Sequence, residues 1–137
     1  MVQLSYAAST LTRLVENYCQ PDLAKTFPCP ACKSKGHTLK QEEITNTPKY
    51  LVVAVKRDVS SKNISITQPL SPLHCNGVQY HLLSVVIHFG QDGAGHYITI
   101  RKDKEQWLMF DDDHVAEIQI SRAESLAKSG YMFVFCR

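Results

Sequence analysis

No apolar run in this chain is long enough to cross a bilayer. The longest, Tyr50–Val55 and Leu82–Ile87, fall far short of the ~20 residues a membrane helix needs, so no membrane association is expected. The segment from Met1 to Leu11 has neither a basic start nor a sustained apolar stretch, which argues against a secretory leader. There is no basic run either. With 15 Lys and Arg against 13 Asp and Glu, the net charge is only +2, and the electrostatic footprint of a nucleic-acid binder is missing. Cysteine is present in an odd number, five, which argues against a closed disulfide framework and points to a reducing compartment, cytoplasmic or nuclear. Repeats, low-complexity stretches and linkers are all absent.

What remains is an ordinary globular composition. At 137 residues, 44% hydrophobic and 20% charged, the chain is the size of one domain and can bury a substantial core. Leu11, Leu14, Val15 and Tyr18 share one face at helical spacing, with Ser9 or Thr10 as N-cap and Pro21 ending the pattern. Phe27 to Gly36 is turn-rich and leads into a polar alternating stretch, His37 to Thr45, that predicts an exposed hairpin arm. Strands then dominate. Leu51–Val55 is a continuous β-branched run that suits a strand covered on both faces. Further strands are expected over Asn63–Gln68, Val78–Phe89, His96–Arg101, Gln106–Phe110 and Tyr131–Cys136, with a turn at Lys102–Glu105. Ser121–Lys128 predicts a short helix, with Ser121 as cap and Glu124 completing a capping box. The expected fold class is α+β: a mostly antiparallel sheet with the helices segregated from it.

The strongest local chemistry is the loop Gly90 to Gly95, followed by His96-Tyr97 at a strand start and Asp111-Asp112-Asp113 at a strand end. Glycines let another backbone approach closely, because no Cβ intervenes. Pairing the two strands brings His96 and Asp111 to one end of the sheet. There the acid can hold one imidazole nitrogen and leave the other free as a base. Histidine and aspartate at strand ends are also ordinary solvated turn residues, so this chemistry alone does not settle their role.

The ordered set of motifs sharpens it. His88-Phe89-Gly90, the glycine loop, Gly95-His96-Tyr97, Trp107, Phe110-Asp111-Asp112, Val115 and the closing Tyr131–Phe135 resemble the C-terminal half of ubiquitin-specific proteases, papain-like thiol deubiquitinases. Upstream, Ser9–Tyr18, Cys29-x-x-Cys32, Thr47–Val52 and Lys56-Arg57 are similar, in order, to the same family's helix, second zinc knuckle and palm sheet. The resemblance implies a single, incomplete domain over 1–137, with helix and finger over 1–46 and palm sheet over 47–137. It implies His96 as general base, Asp111 as the group orienting it, and Asp112 as a supporting acid. Gly90, Gly93, Gly95 and Tyr97 are then the substrate-binding positions, around the channel for ubiquitin's Gly-Gly tail. Asp113 and His114 have no family role and read as turn residues.

The family's nucleophile belongs to a cysteine box on a separate helical lobe, and no such box occurs in this sequence. Asn17-Tyr18-Cys19 imitates it superficially, at the C-terminal end of a helix, whereas a reactive thiol favours the N-terminal end. Cys75 reads as a structural or free thiol in a loop, and Cys136 as a small buried apolar residue. Cys29 and Cys32 have metal-ligand spacing, but a tetrahedral zinc site needs four ligands and only His37 lies nearby. The expectation is no cofactor, with zinc on Cys29 and Cys32 as the alternative. The implied function is a deubiquitinase-type domain holding the His/Asp half of the site and inactive alone. The other reading is a ubiquitin-binding or scaffold module. Implied partners are ubiquitin or a ubiquitinated protein, and a chain supplying the missing lobe.

Overall fold

A 12-residue strand, Val78–Phe89 (β7), organises the molecule. Residues 8–24, 27–36, 38–57, 64–90 and 94–137 of the computed structural model are described here. Seven shorter elements precede β7, the first five being β1 (Ala8–Ser9), helix α1 (Leu11–Tyr18), β2 (Asp22–Ala24), β3 (Thr38–Lys40) and β4 (Tyr50–Ala54). Then come β5 (Ser65–Ile66), β6 (Leu73–Cys75), β7, β8 (His96–Asp103), β9 (Gln106–Asp111), β10 (His114–Ile118), helix α2 (Ile120–Ala127) and β11 (Gly130–Cys136). The main sheet runs β10-β9-β8-β7-β11-β4, with β6 also on β7, and its ladders are antiparallel. The α+β class expected from the sequence is the one observed.

Strand alternation gives the sheet two unlike faces. On one face Val85, Ile87, Ile100, Phe133 and Phe135 are fully buried, and Ala123, Leu126 and Ala127 of α2 join the same core. Helix α1 adds Leu11 and Leu14 beside β6, and its cap is Thr10, whose hydroxyl accepts from the Arg13 N–H at 3.2 Å. Among the described residues the other face stays open. There the cross-strand row Ala54, Met132, Val86, Thr99, Phe110 and Val115 is only half-buried or exposed.

Several local expectations need correction. The run Leu51–Val55 is not covered on both faces: β4 is the last strand of the sheet among the described residues, and Val52 is 54% exposed. An apolar run records that a face can be buried, not that a second layer is there to bury it. Helix α2 begins one residue early, with Gln119 at the N-cap and no side-chain capping bond, so the Ser121/Glu124 box does not form. Packing of Ala123 and Ala127 on the sheet sets its start instead. The arm's strand is confined to β3, and its partner is β2, which the three residues Asp22–Ala24 are too few to announce. The Asn63–Gln68 segment narrows to β5, paired in parallel with β1, and Asn63 and His37 lie outside the described residues.

Four strands were not expected at all: β1, β2, β6 and β10. Cys75 sits buried in β6, not in a loop, and Asn76-Gly77 closes the β6–β7 hairpin. Both residues have positive φ, 50° and 73°, as a tight two-residue hairpin turn demands. His114 opens β10 and is not a turn residue; the turn is Asp112-Asp113. Cys136 is half-buried, not buried.

Arg57 fastens the chain behind β4. Its Nε donates to the Gly130 carbonyl at 3.0 Å, one terminal nitrogen donates to the Lys128 carbonyl at 3.2 Å, and the other donates to the Ile64 carbonyl. Burial lowers the pKa of this guanidinium, and the three carbonyls give each of its nitrogens an acceptor.

Candidate active site

The β8–β9 hairpin determines the site. Thr99 faces Phe110 and Lys102 faces Trp107, so the first residue of β8 and the last of β9 arrive at the same end of the sheet. There His96 Nε2 meets Asp111 Oδ1. Each side chain is about half exposed, at 46% and 45%. The hydrogen bond to Asp111, followed by the charges of Asp111 and Asp112, raises the His96 pKa above its ordinary value. With Nε2 engaged by the carboxylate, Nδ1 is the ring nitrogen left to exchange a proton with another group.

Asp112 completes the cluster. One ligand-type atom from each of His96, Asp111 and Asp112 lies within 4.8 Å of the others. Asp112 also makes the turn into β10, in the left-handed region at φ 53°.

The glycines have a reason within the chain itself. At Gly95 a Cβ would run into the Phe89 carbonyl oxygen and the His88 ring, and Gly90, at φ 110°, has the Gly95 Cα where its own Cβ would stand. Gly90 and Gly95 thus approach each other closely just before His96. Gly93 lies outside the described residues. Tyr97 is exposed and stands opposite His88, ring centroids 4.6 Å apart, while Tyr131 approaches it edge-on at 6.4 Å. His88 and Tyr131 were missed as site neighbours. The available signal was strand alternation, which puts His88 and Tyr97 on one face once the glycine loop is read as a hairpin connection.

No cysteine reaches this site among the described residues, and Asp111 is the hydrogen-bond partner of His96. On β7, Phe89 faces His96 while His81 faces Cys136, eight residues further along the strand. At ~3.3 Å per residue that separation is roughly 26 Å. Cys75 pairs with Val78 at the very start of β7, further away still. Its thiol pKa is pushed up, first by burial and then by the nearby Cys19, which makes it a poor nucleophile.

Cys29 and Cys32 form a second cluster, on the connection between β2 and β3. The turn is closed by Cys29 N–H to the Ser34 carbonyl at 2.9 Å and by Lys33 N–H to the Cys29 carbonyl at 2.8 Å. The backbone N–H of Cys32, then that of Ala31, then the Cys32 side chain lower the Cys29 pKa. Amides aimed at sulfur in this way suit a metal thiolate. The pair therefore fits zinc as two of its four ligands, and no third His, Cys, Asp or Glu joins it among the described residues.

An antiparallel sheet with segregated helices and a His–carboxylate pair at its strand ends is the sheet half of a papain-like α+β architecture. The chain belongs to the ubiquitin carboxyl-terminal hydrolase family, which its residues 4–135 match. It is 28% identical over 149 residues to ubiquitin carboxyl-terminal hydrolase 12 of Saccharomyces cerevisiae, matching 93% of this chain and 12% of that protein. To ubiquitin carboxyl-terminal hydrolase 4 of Arabidopsis thaliana it is 27% identical over 135 residues, matching 85% of this chain and 37% of that one. Its fold is similar to that of a chain of the yeast SAGA DUB module, with TM-score 0.72 at 23% identity over 94% of this chain and 34% of that chain. The SAGA Ubp8/Sgf11/Sus1/Sgf73 DUB module bound to ubiquitin aldehyde gives TM-score 0.71 at 22% identity, over 94% and 35%. The chain thus spans well under half the length of these relatives. Among the described residues no helix is long and apolar enough to cross a membrane.

Proposed function

We propose that this chain is the palm-and-finger portion of a thiol deubiquitinase, a single partial domain that supplies the base and its orienting acid but not the thiol. The observation that carries the reading is the His96 Nε2–Asp111 Oδ1 contact, made at a strand end that no cysteine approaches among the described residues. In the neutral ring Nε2–H donates to Asp111 and the Nδ1 lone pair faces outward. When a thiol is brought before it, Nδ1 takes the S–H proton and the sulfur attacks the carbonyl carbon of the isopeptide bond linked to ubiquitin's C-terminus. The C–N bond then breaks as the Nδ1 proton passes to the departing lysine amine. Asp111 stays ionised throughout, and Asp112 adds negative charge that favours the imidazolium. Gly90, Gly95 and Tyr97 line the approach of the Gly-Gly tail, where small residues leave the channel narrow.

Without the thiol the base has nothing to activate, so the 137 residues alone are inactive. The helical lobe carrying the nucleophile comes from further sequence or from a partner chain, in the cytoplasm or nucleus. The test is incubation with ubiquitin bearing a C-terminal thiol-reactive warhead. No adduct is expected with this chain alone, and an adduct forming at Cys19 or Cys75 would overturn the reading. A second reading is supported by the open sheet face at Val86, Phe110 and Val115: a module that binds ubiquitin without cutting it. An NMR titration that moves these residues while adding a lobe with the cysteine box restores no cleavage would favour it.

A further inference from the structure

His96 is the first residue of β8, and the two ladders that flank it there are unequal. Among the described residues β8 pairs with β9 only from Thr99, opposite Phe110, onward. Its pairing with β7 continues past Thr99 through Ile98 and Tyr97 to His96, opposite Ile87, His88 and Phe89. The backbone of His96 is therefore held from the β7 side. On the β9 side it is the imidazole that makes contact, with Asp111.

His88 is the side chain of β7 that reaches both neighbours of His96. Its ring faces Tyr97, with centroids 4.6 Å apart and a tilt of 48°, and Tyr131 backs Tyr97 edge-on at 6.4 Å. The same ring fills the space that a Cβ at Gly95 would take, with Nε2 and Cε1 pressed against that position. One side chain thus touches the residue before His96 and the residue after it. Strand alternation puts the His88 and Tyr97 rings on one face and the His96 side chain on the other, so His88 acts on His96 through the backbone. A hydrogen bond weakens steeply as its distance and angle depart from the optimum, and a strand end free to shift would loosen the contact with Asp111.

We propose that His88 is a positioning residue for His96: its ring, set between Gly95 and Tyr97, fixes the start of β8 so that His96 Nε2 stays on Asp111. The inference deepens the proposed function and rests on His96 being the base there.

The experiment is an NMR titration of the His96 ring in the 137-residue chain, without thiol or ubiquitin. Its failure leaves the deubiquitinase reading standing, and failure of that reading in the warhead assay leaves this titration intact. In the wild type the Asp111 contact holds the His96 pKa above the ordinary 6.5, and His88→Ala should move it down towards 6.5. Val86→Ala, two residues back on the same face of β7, loosens packing without touching Gly95 or Tyr97 and should leave the value unchanged. In an Asp111→Asn background His88→Ala should have no further effect, because the carboxylate through which it acts is already gone. His88→Leu keeps bulk but no flat ring; it should lower the pKa too, and it serves in place of an alanine variant that does not fold. An unchanged His96 pKa in folded His88 variants, an equal fall in Val86→Ala, or a full effect of His88→Ala on top of Asp111→Asn would each overturn the proposal.

Discussion

His96 Nε2 and Asp111 Oδ1 meet across adjacent strand ends, although 15 positions separate the two residues in sequence. The contact raises the histidine pKa above the ordinary 6.5, and NMR titration of the ring protons should show this directly. Asp111→Asn should bring the value down, since the largest cause is lost. A raised folded-state pKa stabilises the fold fully below the unfolded value near 6.5, and that contribution disappears as pH rises through the folded value. Urea midpoints of wild type and Asp111→Asn should therefore differ at pH 5.5 and converge at high pH. The side chains are half exposed, so the difference is small.

Gly95→Ala should disturb the site through packing rather than chemistry. The new Cβ overlaps the Phe89 carbonyl oxygen and the His88 ring, and a backbone atom cannot swing aside as a side chain can. A loss of roughly 1–3 kcal/mol in chemical denaturation is expected, as for other overpacked positions. The His88–Tyr97 ring contact should weaken with it, seen as a change in the aromatic cross-peaks between the two rings.

Arg57→Ala removes donors to three carbonyls at once, those of Ile64, Lys128 and Gly130. Leaving part-buried carbonyls without a charged donor should cost about 2 kcal/mol or more, measured by urea unfolding. Arg57→Lys should recover only part of it, because a single ammonium cannot span the three acceptors.

Asp112 tests backbone strain apart from charge. At φ 53° a β-branched residue is disfavoured, so Asp112→Val should lower stability by about 1–2 kcal/mol in thermal unfolding. Asp112→Gly relieves the conformation and should be close to neutral in stability. It should still lower the His96 pKa slightly, because the Asp112 charge is one of its causes.

Periodic burial was legible from sequence where it was strong. The spacing of Leu11 and Leu14 located α1 and its buried face, and the β-branched run through Ile87 located β7. Weakly patterned elements escaped. β10 is exposed along almost its whole length, so no alternation marks it, and its existence depends on β9 being beside it. β6 is three residues long and was betrayed only by Asn76-Gly77. The cap of α2 went wrong because packing on the sheet outweighed a capping box worth about 1 kcal/mol.

The amino-acid sequence by itself determined the fold class, the long central strand, the glycine loop and the placing of His96 and Asp111 at strand ends, because these follow from local period and turn chemistry. Tertiary structure alone decided which ring nitrogen Asp111 holds, that His88 and Tyr131 border Tyr97, and that Leu51–Val55 runs along an open edge. The scarcities noted at the outset divide the same way. The lack of long apolar runs and of one-sided charge is a property of composition. That the odd set of cysteines leaves His96 without a sulfur and Cys29 and Cys32 as a pair is decided by where the strands carry them in space.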